Sequence, residues 1–380
     1  YATAVSVLTD EKYFQGNFEF LPQVRKHLTQ PVLCKDFMID PYQVYLARYY
    51  QADAILLMLS VLSDEEYITL SRLAGELQLD VLTEVSNPEE LARAKTLKAP
   101  IVGINNRDLR DLSIDLNRTF ELAQDLDDDV IVISESGIYH HYQVKSLAKV
   151  ADAFLIGSAL MSEDNLERAV RRVILGENKV CGLTRAQDAI SAYEAGSVYG
   201  GLIFVPSSKR YIDLEHAKKV TQAAPLAFVG VFQNESIDVI CDKASQLNLA
   251  AVQLHGDEDQ AYVNQLRTAL PKSCQIWKAY GVKDLLPTRL DVHVDRHVYD
   301  CKVGQQSGGT GQSFDWTLLD DLSAEHKQTT LLAGGISADN AQTAASYGCI
   351  GLDLNSGVED APGIKNQQKL KQAFAQIREF

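Results

Sequence analysis

No apolar run in this chain approaches the roughly eighteen residues needed to cross a bilayer, which excludes a membrane-spanning helix. Polar tracts, Pro-rich stretches and Gly/Ser-rich linkers are missing too, so nothing marks a disordered segment. Cysteine is sparse. Cys34, Cys181, Cys241, Cys274, Cys301 and Cys349 show no paired metal-ligand spacing and read as reduced thiols of a cytoplasmic protein. Basic residues are outnumbered, 36 Lys and Arg against 51 Asp and Glu, and the net charge of -15 excludes a phosphate backbone as partner. Any anionic ligand must then be held by local backbone donors and single basic residues. The opening residues Tyr1 to Leu8 have no basic n-region, so they are not a signal peptide. They read as a strand already under way, and with no initiator Met the natural start is expected upstream.

What is present is a rhythm that occurs twice. In the first half, seven apolar runs alternate with helical patterns: Ala4 to Leu8, Val32 to Cys34, Ala54 to Leu59, Val81 to Thr83, Ile101 to Ile104, Val130 to Ile133 and Ala153 to Ile156. Repeated β-α units of this kind build a parallel sheet. Seven is one short of a closed barrel. After Lys179 the rhythm restarts, with eight strands ending near Cys181, Phe204, Phe232, Leu254, Ala279, Asp300, Ala333 and Leu354. Helices are expected over Arg185 to Ala195 and over Asp339 to Tyr347, the second capped by Ser337. The fold class is α/β, two tandem (β/α)8 (TIM) barrels at 1–176 and 177–380, the first lacking its first strand and the helix before it. A chain of 380 residues suits two such domains.

The carboxyl ends of barrel strands surround the active site, so the residues placed there carry the chemistry. In the first unit they are Lys35, Glu84 and Asn105, then Glu135-Ser136-Gly137 and Gly157-Ser158. A Lys facing a Glu can serve as general acid and base, and Gly/Ser loops after the last two strands suit a phosphate. In the second unit Cys181 ends the first strand and Asp300 the sixth, placing a base and an acid across one pocket. An acid role for Asp300 requires its pKa to rise by roughly three units, about 4 kcal/mol, which burial can supply. Lys179, two residues back on the same face, is expected to lower the Cys181 thiol. Ser307-Gly308-Gly309-Thr310-Gly311 is a loop able to close over a ligand. Ala333 to Ser337 and Asp353 to Gly357 repeat the phosphate design, and Arg210 can grip a carboxylate with two parallel hydrogen bonds. Taken singly, each residue has a plain alternative: strands end at water, Cys is among the most buried types, and strand-end Asp caps helices.

Two resemblances follow from these segments. Val5-Ser6-Val7-Leu8-Thr9-Asp10, Pro31 to Phe37, Leu82-Thr83-Glu84-Val85, Gly103 to Leu109 and Ser134 to Ile138 resemble indole-3-glycerol-phosphate synthase from residue 1 to about 175. The resemblance implies Lys35 as general acid, Glu84 as the base assisting dehydration, and Asn105 and Glu135 lining the substrate pocket. It also implies Ser136, Gly137, Gly157 and Ser158 in the phosphate loops and Arg107 facing the anthranilate carboxylate. One departure stands out. The family's first strand, with a further glutamate and lysine, is absent from these residues, so the synthase half is expected to be impaired.

Lys179-Val180-Cys181-Gly182, Pro206 to Ile212, Val252 to Gly256 and Ser307 to Gly311 resemble phosphoribosylanthranilate isomerase. Here the resemblance implies Cys181 as the base acting at C2′, Asp300 as the acid on the ring oxygen, and Arg210 on the anthranilate carboxylate. His255 is placed at the pocket wall, and Gly334, Gly335, Asn355, Ser356 and Gly357 around the phosphate. Together the halves are similar to the fused isomerase and synthase of tryptophan biosynthesis, which acts on phosphosugar-anthranilate substrates with no metal or organic cofactor. The complete chain is expected to be a monomer. Two other readings stay open: another phosphosugar barrel enzyme, such as a histidine-pathway isomerase or an aldolase, and an isomerase whose first unit is only a scaffold.

Overall fold

The computed structural model describes residues 2–108, 111–290, 292–303, 306–307 and 312–378. It divides into two compact units, Tyr1–Leu166 and Glu167–Phe380. The sequence reading placed the division at 176/177. The helix Leu166–Leu175 accounts for the difference, because Arg171 donates to the Tyr193 carbonyl and stacks 3.8 Å from the Tyr193 ring centroid, both within the second unit.

In the first unit seven parallel strands run in chain order: β1 (Val5–Leu8), β2 (Val32–Lys35), β3 (Ala54–Met58), β4 (Asp80–Val85), β5 (Ile101–Asn105), β6 (Ile131–Glu135) and β7 (Ala153–Leu155). All seven expected runs form strands. Among the described residues β1 and β7 do not pair with each other, so the sheet stays open. Strict alternation divides each strand between two cores. Ile55 and Leu57 face the helices, while Leu33, Leu56, Met58 and Leu82 fill the interior. Connecting helices start where polar caps dictate. Ser63 and Glu66 form a reciprocal capping box before Asp64–Glu76, and Asn87 caps Pro88–Thr96 with proline at its first turn.

The second unit closes. Its parallel strands are β8 (Lys179–Val180), β9 (Tyr199–Ile203), β10 (Ala227–Phe232), β11 (Ala251–Leu254), β12 (Gln275–Val282), β13 (Arg296–Val303), β15 (Thr330–Leu332) and β16 (Gly351–Leu354), and pairing of β12 with β13 completes the ring. A short β14 (Gln306–Ser307) lies antiparallel on β13. Because β13 continues into this hairpin, Asp300 is not a strand terminus as expected; it sits opposite Gly281 with three further strand residues beyond it. The second expected helix begins later than read, at Ala341, with Asn340 rather than Ser337 at its N-cap. At the amino-terminal end of the barrel the buried Glu177 accepts from Arg172 (2.9 Å), Arg296 (3.1 Å) and the Tyr199 hydroxyl (3.3 Å). Gly308 to Gly311 of the expected loop lie outside the described residues.

Candidate active sites

Parallel register brings the charged ends of the first sheet to one level: Leu8 opposite Lys35, Met58 opposite Glu84, Glu84 opposite Gly103 and Asn105 opposite Glu135. Lys35 Nζ lies 3.5 Å from Glu135 Oε2 and 3.6 Å from Glu84 Oε2, and Asn105 Nδ2 donates to Glu84 Oε1 at 3.1 Å. Both carboxylates are buried. Burial pushes the Glu135 carboxyl up to about 7, with Glu84 adding to the rise and the Lys35 ammonium opposing it. For Lys35, burial works against the charge, but the two carboxylates outweigh it and raise the ammonium above its ordinary value. A partly exposed lysine is thus held charged over one carboxyl that exchanges its proton near neutrality.

The other expected residues fall around this cluster. Ser136 and Gly137 both have left-handed backbone, φ 67° and 76°, and a side chain at Gly137 would collide with Ile114. Gly157 and Ser158 are exposed at the start of a four-residue helix. Arg107 N–H donates to Asn105 Oδ1 at 3.0 Å, and its backbone bridges Ile114. Among the described residues its guanidinium makes no hydrogen bond or ion pair with Lys35, Glu84 or Glu135. Two contributors were not singled out in the sequence. Asn106, fully buried, ties Ser134 Oγ (3.0 Å), the Glu135 carbonyl (2.9 Å) and the Ser136 carbonyl (3.1 Å) together, fixing the end of β6. Gly103 leaves the space that the Glu135 carboxylate occupies.

In the second unit alternation turns Lys179 and Cys181, Gly201, Gln253, Asp300 and Asp353 toward the barrel interior. Lys179 is wholly buried and donates to Asp353 Oδ2 at 2.7 Å and Gln253 Oε1 at 2.9 Å. Gly201 is required beside it, since a Cβ there would lie 2.7 Å from Cys181 Sγ and 2.9 Å from Lys179 Cε. Burial pushes the Cys181 thiol above its ordinary value, and the Lys179 ammonium only partly offsets this. The lowering that Lys179 exerts is therefore outweighed by burial, and the Asp353 charge adds to the rise. Asp300 accepts from the Cys301 N–H at 2.7 Å, and burial, reinforced by the Asp353 charge, pushes its carboxyl up to about 7. The rise is about the three units that an acid role demands.

Gly334 and Gly335 both have left-handed backbone, φ 90° and 65°, and a Cβ on Gly334 would come within 3.2 Å of Asp300 Oδ1. A side chain at Gly357 would strike the Ile336 carbonyl, so the two glycine loops abut. Ser356 opens a short 3-10 turn. The Asn355 amide oxygen accepts from Lys365 Nζ at 2.9 Å. His255 stands at the end of β11, its ring 3.4 Å from Gln253 Nε2. Arg210 differs most from expectation: it is buried, and Glu359 accepts from its Nε at 3.0 and 3.1 Å and its Nη2 at 2.8 Å. Glu359 and Lys365 follow the last phosphate loop, and nothing in the local pattern marks them.

Tandem α/β barrels whose strand ends gather a Lys with two Glu in one unit, and a Cys with a Lys and two Asp in the other, carry the groups of an acid-base enzyme. The indole-3-glycerol phosphate synthase family model matches residues 1–173, and the N-(5′-phosphoribosyl)anthranilate (PRA) isomerase model matches residues 178–376. The tryptophan biosynthesis protein TrpCF of Vibrio cholerae is 61% identical over 380 residues, 100% of this chain and 80% of that protein. TrpCF of Salmonella typhi is 60% identical over 380 residues, again 100% of this chain and 82% of that protein. The crystal structure of phosphoribosyl anthranilate isomerase from Thermus thermophilus is 29% identical, with a TM-score of 0.47, and covers 53% of this chain and 97% of its own. The chain belongs to the family of bifunctional tryptophan-biosynthesis enzymes that join indole-3-glycerol-phosphate synthase and phosphoribosylanthranilate isomerase in one polypeptide.

Proposed function

We propose that Cys181 and Asp300 carry out the isomerisation of N-(5-phosphoribosyl)anthranilate to 1-(o-carboxyphenylamino)-1-deoxyribulose 5-phosphate. Asp300 donates a proton to the furanose ring oxygen, opening the ring to a Schiff base. Cys181 then takes the C2′ proton, and the resulting enolamine tautomerises to the ketone. The observation that supports this best is the Asp300 carboxyl, which burial and Asp353 keep substantially protonated near neutral pH. Arg210 holds the anthranilate carboxylate, His255 shapes the wall, and the loops at Gly334, Gly335, Asn355, Ser356 and Gly357 hold the phosphate by backbone donors. Gly335→Asp places a negative charge there and is expected to raise the isomerase KM by about two orders of magnitude or more while sparing synthase kinetics. Steady-state assays of both reactions on the same preparation check this; a parallel loss of both would contradict separate sites.

In the synthase reaction the isomerase product closes its indole ring with loss of carbon dioxide and water. Lys35 is the acid and Glu84 the base, with Asn105 and Glu135 lining the pocket, and Arg107 takes the carboxylate. Ser136, Gly137, Gly157 and Ser158 take the phosphate. The functional division lies at 176/177. The complete enzyme is a monomer, and its place is the cytoplasm, the latter reading supported by six free thiols. Among the described residues no helix is long and apolar enough to cross a membrane.

The open first sheet favours a restricted activity for residues 1–380 alone. Unpaired strand edges cost hydrogen bonds, and an unfilled interior loosens the geometry that acid-base catalysis requires. This polypeptide is expected to isomerise, yet to form indole-3-glycerol phosphate at below about one per cent of the rate of a longer chain supplying an eighth strand. The absorbance of the indole product reports both rates, and equality would show that Lys35 and Glu84 suffice on the open sheet.

A further inference from the structure

Immediately after the last phosphate loop the chain folds into a small hairpin, β17 (Glu359–Ala361) and β18 (Ile364–Lys365), in which Glu359 and Lys365 are register partners. Its turn contains Gly363 at φ 81°. The Glu359 carboxylate is saturated. Besides three contacts from Arg210 at 2.8 to 3.1 Å, it accepts from Lys365 Nζ at 2.7 Å and from Gly363 N–H at 3.1 Å. Lys365, fully buried, spends its other donors on the Asn355 carbonyl (3.3 Å) and side-chain oxygen (2.9 Å). One carboxylate therefore ties a lysine from the hairpin to an arginine from the loop after β9.

The way Arg210 is held matters more than the fact that it is held. A guanidinium has five N–H groups and two edges able to bind a carboxylate in bidentate fashion, one through Nε and Nη2 and the other through Nη1 and Nη2. Glu359 takes the Nε–Nη2 edge. Nη1 makes no hydrogen bond among the described residues, so the end-on edge is left for a second carboxylate. Its location fits the isomerase pocket, since a Cβ on Gly182, the residue after Cys181, would lie 2.7 Å from Arg210 Cδ and 3.0 Å from Asn355 Oδ1. A flexible, solvated arginine would lose side-chain entropy on gripping a ligand; here that ordering is already complete.

We propose that Glu359, braced by Lys365, is a positioning residue of the isomerase: it fixes Arg210 by one edge so that the other faces the carboxylate on the substrate's aromatic ring. The proposal rests on the assignment of Arg210 to that carboxylate and adds the device that aims it. Glu359 touches no reacting atom, so its loss should be felt in recognition rather than in proton transfer.

The test compares two substrates, N-(5-phosphoribosyl)anthranilate and N-(5-phosphoribosyl)aniline, which lacks the carboxylate, on the whole chain. Glu359→Gln keeps the shape and removes the charge. It is expected to raise the anthranilate KM at least about tenfold, with kcat within about threefold and the aniline KM unchanged, so that selectivity falls about tenfold; Glu359→Asp should recover part of it. Equal losses on both substrates, the signature of a merely structural role, would overturn the proposal, as would unchanged selectivity. Should Glu359→Gln not fold, Lys365→Met retains the Arg210–Glu359 pair and is expected to erode selectivity about threefold; undiminished selectivity there also overturns it. Failure of the wild-type chain to turn over either substrate would refute the isomerase assignment instead, and equal use of both would refute the role of Arg210 and the proposal with it.

Discussion

Cys181→Ser and Asp300→Asn are each expected to lower isomerase turnover by about 10²- to 10⁴-fold, the usual contribution of a positioned acid or base, while synthase kinetics stay unchanged. Retention of more than about a tenth of wild-type turnover in either variant would contradict the assigned roles. Wild-type kcat/KM should rise with pH up to about 7, as Cys181 begins to ionise, and then level off, since each further gain in thiolate is matched by loss of protonated Asp300. It should fall only above the raised pKa of the thiol. Asp300→Asn carries a second, opposite signature. The folded-state carboxyl titrates at about 7 against an ordinary 3.8, so the folded state binds the extra proton between those values and stability falls as pH rises through that window. At pH 8 the ionised, buried carboxylate opposes folding by up to about 4 kcal/mol. Removing the charge should therefore raise the thermal midpoint of the second unit at pH 8 and leave it nearly unchanged at pH 4, which calorimetry at the two pH values measures.

Lys35→Met should be nearly as severe in the other unit. In a chain supplying the eighth strand, synthase turnover is expected to fall by about 10²- to 10⁴-fold with isomerase kinetics untouched. Lys35 is the only cation within 4 Å of Glu84 and Glu135 among the described residues, and its removal leaves two buried carboxylates facing each other. Breaking a buried pair in this way costs about 3–5 kcal/mol. The sign with pH follows from Glu135, whose folded pKa is raised from 4.5 to about 7, so that its ionisation opposes folding as pH rises through that range. Without Lys35 that opposition grows, and the thermal midpoint of the first unit should drop more steeply between pH 5 and 8 in the variant than in the wild type. A midpoint with the wild-type pH dependence would show that Lys35 does not set the charge state of the cluster.

Strand count, strand order and the level at which the chemistry sits were legible because they rest on local patterns. Apolar runs of three to six residues that alternate with helical patterns build β-α units, and in a parallel sheet of that kind the residue after each run reaches the carboxyl-terminal rim. Lys35, Glu84, Asn105 and Glu135 therefore converge as expected, and so do the paired glycine loops of the second unit. The extension of β13 past Asp300 was not legible, since it depends on the antiparallel pairing with β14.

The charge state and aim of the groups at the rim came only with the tertiary structure. Lys179 does draw the Cys181 thiol down, but burial outweighs it, and Asp353, 174 residues from Lys179 in the chain and paired with it, adds a charge that opposes the thiolate. Whether Arg210 is loose or fixed depends on Glu359, 149 residues away, on a hairpin with no sequence signature. By itself the sequence determined the two barrels, the rim residues and the family, because periodicity, turn chemistry and motif spacing act over a few residues. The fold decided which of those residues are buried, which charge meets which, and so which carboxyl keeps its proton at neutral pH, because desolvation and Coulomb energy depend on distances that only the closed sheet and its packed loops create.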